Sequence, residues 1–266
     1  MTTALGRAVL LVLALACVRG ALGAPSSCSS VSGARTLPLV ELYTSEGCDS
    51  CPPADRWLRE TFAPPQQASS ARAAVLAFHV DYWDSLGWPD RFASHAHTER
   101  QQMLVRAGGR RTAYTPQLFI QGRDRGLWRD GSVSKALDEI GRAPARAHIE
   151  LAARADDDAV IVDVRARVDA VKPADLELRV ALTEGGLSSR VTAGENAGVE
   201  LAHGHVVRAF VTGPAFDAGG NAAGRVRLVL PRERGRDATV VAFVENRSTG
   251  AILQSSAMPC AALEPR

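Results

Sequence analysis

Cys48-Asp49-Ser50-Cys51 carries the most chemistry in this sequence. Two thiols separated by two residues can close a small disulfide ring, pass that disulfide on through a mixed intermediate, or share a soft metal ion. The flanks narrow the geometry. An apolar, strand-like run from Leu37 to Tyr43 precedes the pair, and a helix-like run from Ala54 to Phe62 follows it. A helix N-terminus offers unpaired N–H groups and the positive end of the helix dipole, both of which favour a thiolate. In that arrangement Cys48 is expected to be the more exposed thiol and the attacking one, with Cys51 resolving one turn further in. Pro52 and Pro53 fall in the first helical turn, where a missing N–H costs little. Glu46 and Asp49 place negative charge beside Cys48 and oppose the thiolate, so the sign of its net shift stays open.

The elements that must hold this pair read as β-α-β-α-β-β-α. Leu39 to Tyr43 is a short strand, and Trp57, Leu58 and Phe62 recur at helical spacing behind the cysteines. Ala73 to Val80 is almost continuously apolar, as a strand covered on both faces should be. Ser94 to Ala107 reads as a capped helix stopped by Gly108-Gly109, Leu118 to Ile120 as a strand, and Gly126 to Trp128 as a short strand. Val133 to Ile140 reads as a last helix ending at Gly141. Alternation of this kind calls for a mainly parallel sheet. After Gly141-Arg142-Ala143-Pro144-Ala145 the pattern changes, and strict alternation appears at Val160–Val168 and Leu176–Leu182. Ile149–Ala153, Val206–Thr212, Val226–Leu230, Val240–Glu245 and Ala251–Ser256 complete about seven short strands, the pattern of an antiparallel, immunoglobulin-like β-sandwich. The expected division is 1–23 signal peptide, 24–36 N-terminal segment, 37–143 first domain and 148–262 sandwich.

Export follows from the N-terminus. Arg7, the apolar run Ala8–Val18 and the small residues Ala21-Leu22-Gly23 form a secretory signal cleaved after Gly23, with acylation of Cys17 as the alternative processing. The mature protein is then expected to be periplasmic or secreted. Its charge is balanced, with Lys+Arg 31 − 2 = 29 against Asp+Glu 29 once Arg7 and Arg19 leave with the signal. Nothing in that balance attracts nucleic acid, and no mature segment is apolar enough to span a membrane as a helix. In an oxidising compartment Cys28 and Cys260, one near each end of the mature chain, are expected to pair; two free thiols, or Cys28 resolving the active pair, are the alternatives.

A second piece faces the thiols in such a fold. Tyr114-Thr115-Pro116-Gln117 stands just before a strand, where proline is tolerated, and a cis Thr115–Pro116 bond would aim a backbone edge at the cysteines. Strand–CxxC–helix followed by Thr-Pro resembles the thioredoxin fold. The match is closer still to one exported family. Glu41 to Cys48, Cys51-Pro52-Pro53-Ala54-Asp55, Phe78-His79-Val80-Asp81-Tyr82-Trp83-Asp84, Leu86-Gly87-Trp88, Tyr114 to Gln117 and Gly194-Glu195-Asn196-Ala197-Gly198 resemble the exported thioredoxin-like proteins classed as domain of unknown function 1223. That resemblance implies fold and compartment and assigns no activity.

The working expectation is a thiol–disulfide oxidoreductase with Cys48 and Cys51 as its redox pair, Thr115 and Pro116 shaping the substrate edge, and a protein thiol or disulfide as partner. It requires no cofactor. His79 or Asp81 could relay a proton to Cys51, and Tyr82, Trp83 and Trp88 could form a flat contact for a polypeptide. His79, Asp81 and Trp83 are equally compatible with plain structural roles. The rivals are a copper or other soft-metal chaperone using the cysteines with a histidine, and a binding module whose CxxC is only a structural staple. His95 and His97 are poor joint ligands on a helix. Gly194–Gly198 and His203-Gly204-His205 read as tight loops, the first packed against the first domain or a ligand.

Overall fold

The computed structural model describes residues 27–62, 71–126, 128–169 and 173–264. The signal sequence and Cys17 lie outside these residues. The chain forms a mixed α/β structure dominated by sheet. In order, the elements are β1 (Ser27–Val31), β2 (Leu39–Thr44), α1 (Pro52–Thr61), β3 (Ala74–His79), α2 (His95–Ala107), β4 (Gln117–Ile120), β5 (Arg123–Asp124) and α3 (Ser132–Arg142). The second half contains β6 (Ala147–Asp156), β7 (Ala159–Val168), β8 (Leu176–Gly185), β9 (Leu187–Arg190), β10 (Glu200–His203), β11 (Val206–Thr212), β12 (Asn221–Val229), β13 (Arg236–Asn246) and β14 (Ile252–Pro259).

The two halves do not form separate sheets. One eight-stranded sheet runs β14-β13-β8-β11-β3-β2-β4-β5, a four-stranded sheet runs β1-β6-β7-β12, and β9 pairs only with β10. The junction is the parallel contact of β11 with β3, where Val206 lies opposite Ala77. A mainly parallel first half is also corrected. β2 and β3 are parallel, but β4 and β5 add on antiparallel. The short connection Gln121-Gly122 forces the antiparallel pairing of β5 with β4, because a parallel neighbour needs a crossover of a dozen residues or more.

Side-chain alternation distributes the core. On β8 and β13, Val180, Leu182, Val240, Ala242 and Val244 face a sandwich core shared with Ile149, Leu151, Val160, Val162 and Val164. Their neighbours Ala181, Val241 and Phe243 face the opposite way, onto a layer with Tyr43, Leu76, Phe78, Leu104 and Val105. On the other side of β2 and β3, Val40, Leu42 and Val75 pack with Ala54 and Leu58 of α1 and Val133 and Leu137 of α3. So α2 covers one face of the first-half strands and α1 with α3 the other. The N-terminal segment contributes β1, which pairs antiparallel with β6, and Cys28 on it is bonded to Cys260 just after β14.

His97, on the buried side of α2, sits with Nδ1 3.0 Å from the His79 carbonyl oxygen. Burial drops its pKa from 6.5 to about 4, an effect only partly offset by that carbonyl. The unfolded chain therefore binds a proton at His97 between those two values that the folded chain does not, and stability falls as pH falls through this window. The expected loss is about 3 kcal/mol between pH 6.5 and 4. His97→Asn, which retains a donor for the carbonyl, should remove that part of the slope in urea unfolding curves; an unchanged slope would refute it. His79 acts in the opposite sense: its pKa is raised, so its contribution is full below 6.5 and is lost as pH climbs through the higher folded value.

Candidate functional site

Cys48 and Cys51 are bonded to one another at the point where the loop after β2 enters α1. Cys51 is the N-cap of α1, and Pro52 and Pro53 open the helix. The N–H groups of Ala54 and Asp55 both donate to the Cys51 carbonyl, at 2.9 and 3.1 Å. The prolines have no N–H to give. The expected set of free helix N–H donors is thus already spent, and the polar side-chain partner of Cys48 Sγ is the Ser50 hydroxyl at 3.4 Å. The helix dipole remains, directed at the pair.

Cys48 is not the exposed thiol expected from the motif. Both sulfur-bearing residues are 0% exposed. The Gly194–Gly198 loop between β9 and β10 is bonded to the turn that carries them. Asn196 Nδ2 donates to the carbonyl oxygens of Glu46 and Cys48, each at 2.9 Å, and the Glu195 carboxylate accepts from the Asp49 N–H at 3.1 Å.

The loop that carries Cys48 is tied, through Glu46, to a buried cluster of ionisable groups drawn from both halves of the chain. His79 Nδ1 is 2.6 Å from Asp90 Oδ2, and Asp90 also accepts from the Glu46 N–H at 2.9 Å. The Glu46 carboxylate accepts from Trp88 Nε1 at 2.7 Å and lies 3.0 Å from His203 Nε2. Thr44 Oγ1 donates to Asp55 Oδ2 at 3.0 Å. The rings of His79, Phe92 and His203 stack edge to face. Burial pushes the Asp55 carboxyl above its ordinary range, with His79 and His203 pulling the other way. For Asp90 burial is outweighed by the His79 charge and hydrogen bond, so its pKa is lowered; the same pair raises His79 against its own burial. The nearby His203 imidazole and the Trp88 hydrogen bond likewise hold Glu46 below the usual range despite burial. Glu46 does not point at the thiols as bare negative charge: its backbone and side chain tie the Cys48 loop to Asp90, Trp88 and β10.

The other expected residues divide into two groups. Trp83 reaches the site: Gly47 is tight enough against it that a Cβ there would meet Trp83 Cβ at 3.1 Å, while Trp83 Nε1 donates to Thr115 Oγ1 at 2.8 Å. Trp83 thus links the cysteine loop to Thr115-Pro116, whose peptide bond is cis. Tyr82, partly exposed, donates to Gln101. Asp81 faces outward, accepting from Thr98 Oγ1 at 2.6 Å and lying 3.0 Å from His95 Nδ1. Asp81 is thus engaged with Thr98 and His95 of α2. Asp55 follows Cys51 by one helical turn on the same face, and its N–H makes the ordinary helical bond to the Cys51 carbonyl.

A family model described as a protein of unknown function (DUF1223) matches residues 39–245. The chain belongs to this family. The match runs from β2 into β13 and so takes in both halves of the buried cluster. No curated protein matches the chain. Among solved structures, protein AGR_C_4864 from Agrobacterium tumefaciens is similar, at 26% identity and a TM-score of 0.60, over 86% of this chain and 96% of that one. HBP35 of Porphyromonas gingivalis shares the fold at 16% identity and a TM-score of 0.63, over 88% of this chain and 78% of that one.

The Gly194–Gly198 loop packs against the first half as its glycines suggested, through Asn196 and Glu195, whereas neither Asp55 nor Asp90 was given a role from sequence. For Asp55 a signal existed: it stands in the apolar stripe with Ala54 and Leu58, where a carboxylate is out of place unless it is paired or used.

Proposed function

We propose that this protein is an exported thiol–disulfide exchange protein whose first half is thioredoxin-like. One observation carries the reading: a disulfide closed at the entrance to a helix whose next turn carries Asp55, a buried carboxyl that belongs to a carboxylate–histidine cluster. A structural staple has no use for such a cluster, whereas disulfide exchange must supply and remove protons at a buried sulfur. In the forward step a partner thiolate attacks Cys48 Sγ, the Cys48–Cys51 bond breaks, and Cys51 leaves as the thiolate. Asp55, with its raised pKa, is the buried acid placed to protonate it. In the reverse direction, starting from the reduced protein, the Cys48 thiolate attacks a partner disulfide and one partner sulfur leaves as a thiolate; Asp55 then takes the Cys51 proton, the Cys51 thiolate attacks Cys48 Sγ, and the second partner thiolate departs, leaving the partner reduced and Cys48–Cys51 closed. The order of strands around the cysteines, β2-α1-β3 with β4 and β5 antiparallel beyond, and the position of Thr115-Pro116 at the head of β4 support the thioredoxin-like description. The two disulfides support export.

The staple reading has its own observation, the complete burial of both sulfurs. The soft-metal reading lacks a third ligand: among the described residues no group of three His, Cys, Asp or Glu side chains is arranged to hold a metal. Exchange makes a distinct demand on variants. Cys51→Ser should accumulate a mixed disulfide between Cys48 and a substrate protein, visible as a reductant-sensitive shift on a gel, and Cys48→Ser should abolish both the adduct and turnover. Absence of any adduct from Cys51→Ser would leave the staple reading in place.

A further inference from the structure

With both sulfurs fully covered, exchange at Cys48 requires part of the protein to move. The element bonded to the cysteine turn is narrow and comes from one place. β9 and β10 pair only with each other and join neither large sheet, and the loop at their tip lies on the cysteine turn. Within the loop, Ala197 N–H donates to Gly194 O at 3.2 Å and Gly198 N–H to Val191 O at 2.9 Å. Gly194 and Gly198 hold left-handed φ angles of 72° and 86°, conformations other residues adopt only under strain. The tip is therefore a preset shape. Its grip on the cysteine turn consists of three hydrogen bonds: two from Asn196, which is 6% exposed, and one to the Glu195 carboxylate.

We propose that Asn196 and Glu195 latch the β9–β10 tip onto the cysteine turn and so control the access of an attacking reductant to the Cys48–Cys51 disulfide. The inference rests on the thiol–disulfide reading for its purpose. An attacking sulfur must approach Cys48 Sγ along the line of the Cys48–Cys51 bond, forming one S–S bond as the other breaks and the electron pair passes to Cys51. That approach is closed while Asn196 bridges the Glu46 and Cys48 carbonyls. Withdrawal of the tip frees these two carbonyls and the Asp49 N–H together, three backbone groups that an extended polypeptide partner can take up in place of the loop. The second half of the chain thereby has a task at the active pair and does not merely extend the sheet.

The test uses the mature, oxidised chain and follows reduction of each disulfide separately by alkylation and mass spectrometry. Two reductants are compared, tris(2-carboxyethyl)phosphine and a reduced dithiol protein. Each lost hydrogen bond contributes about 1 kcal/mol to holding the tip closed, so Asn196→Ala should speed reduction of Cys48–Cys51 by roughly tenfold or more with both reductants. Glu195→Gln, at an exposed position, should speed it by roughly threefold. The Cys28–Cys260 bond, distant from the loop, should react at an unchanged rate and serves as the internal control. Equal Cys48–Cys51 rates in wild type and Asn196→Ala would overturn the proposal. So would a parallel rise at both disulfides, which signals general loosening and no latch. A protein that shows the Asn196 effect with the phosphine yet never exchanges with a protein disulfide would retain the latch and lose the proposed function.

Discussion

Arg100→Met should destabilise the protein by about 3–5 kcal/mol. Arg100 projects from α2 into the layer where the two halves of the large sheet meet. Its Nε donates to Glu41 Oε1 of β2 at 2.7 Å, and Nη1 to both carboxylate oxygens of Glu245 on β13 at 3.1 and 3.0 Å. The rings of Phe78, Phe210 and Phe243 lie 5.9, 5.2 and 5.0 Å from the guanidinium carbon. Arg179 reaches Glu245 from β8, at 3.0 Å. Loss of Arg100 leaves the Glu41 carboxyl without a cationic partner, and Glu245 with Arg179 alone, both in apolar surroundings. Burial already outweighs Arg100 in setting the Glu41 pKa, which is raised. Without Arg100 it rises further, the folded state binds a proton the unfolded state lacks, and stability falls with rising pH. The destabilisation should therefore be smaller at pH 5 than at pH 8. Adding Glu41→Gln and Glu245→Gln to Arg100→Met should recover most of the loss, because the cost is the stranded charge and not the missing side chain. Urea unfolding of the single and triple variants checks this; an Arg100→Met protein within 1 kcal/mol of wild type, on the order of an exposed ion pair, would contradict it.

The second large effect concerns the chain ends. Cys28 and Cys260 are 232 residues apart in sequence and bonded. Closing a loop of that size restricts the unfolded chain by about 5 kcal/mol in the chain-entropy treatment. Replacing both cysteines with serine should cost a comparable amount and lower the urea midpoint with little change in the exchange kinetics at Cys48, since β1 is in the four-stranded sheet and β14 is the edge of the eight-stranded sheet remote in strand order from β2. A double variant as stable as wild type would show that β1 is held by its pairing with β6 alone.

Much of the first half was legible because its signals are local. Ala73 to Val80 is apolar at almost every position, and the strand it predicts, β3, is buried along its full length between helices. The sign of strand pairing was less legible: a β-α-β-α alternation suggests parallel neighbours, and only the two-residue Gln121-Gly122 connection shows that β4 and β5 cannot be parallel. The merger of the two halves was not legible at all. It depends on β11 entering beside β3 through one registered pair, Val206 with Ala77, and neither strand's pattern names its neighbour.

The site shows the same division. Cys48, Cys51 and the neighbouring Trp83 and Thr115 follow from motif and order along the chain. The groups that control them do not. β9 and β10 are short and polar, Leu-Ser-Ser-Arg and Glu-Leu-Ala-His, so neither carries a strand signal strong enough to place Asn196 and His203. Glu46 read as a charge beside the nucleophile because sequence gives proximity and not direction. In the fold its carboxylate turns inward to Trp88 and His203, and its effect on Cys48 runs through the geometry of the loop.

The central claim is that Cys48–Cys51 is a working redox couple, and its equilibrium with glutathione tests this most directly. The oxidised chain, held under nitrogen in glutathione buffers of graded ratio, is quenched and alkylated, and the reduced fraction of each pair is counted. The account predicts that Cys48–Cys51 titrates within the glutathione range, at a potential above about −300 mV, while Cys28–Cys260 stays oxidised throughout. A Cys48–Cys51 bond that remains closed below about −300 mV, after long equilibration and in the Asn196→Ala protein as well, would make it a structural staple.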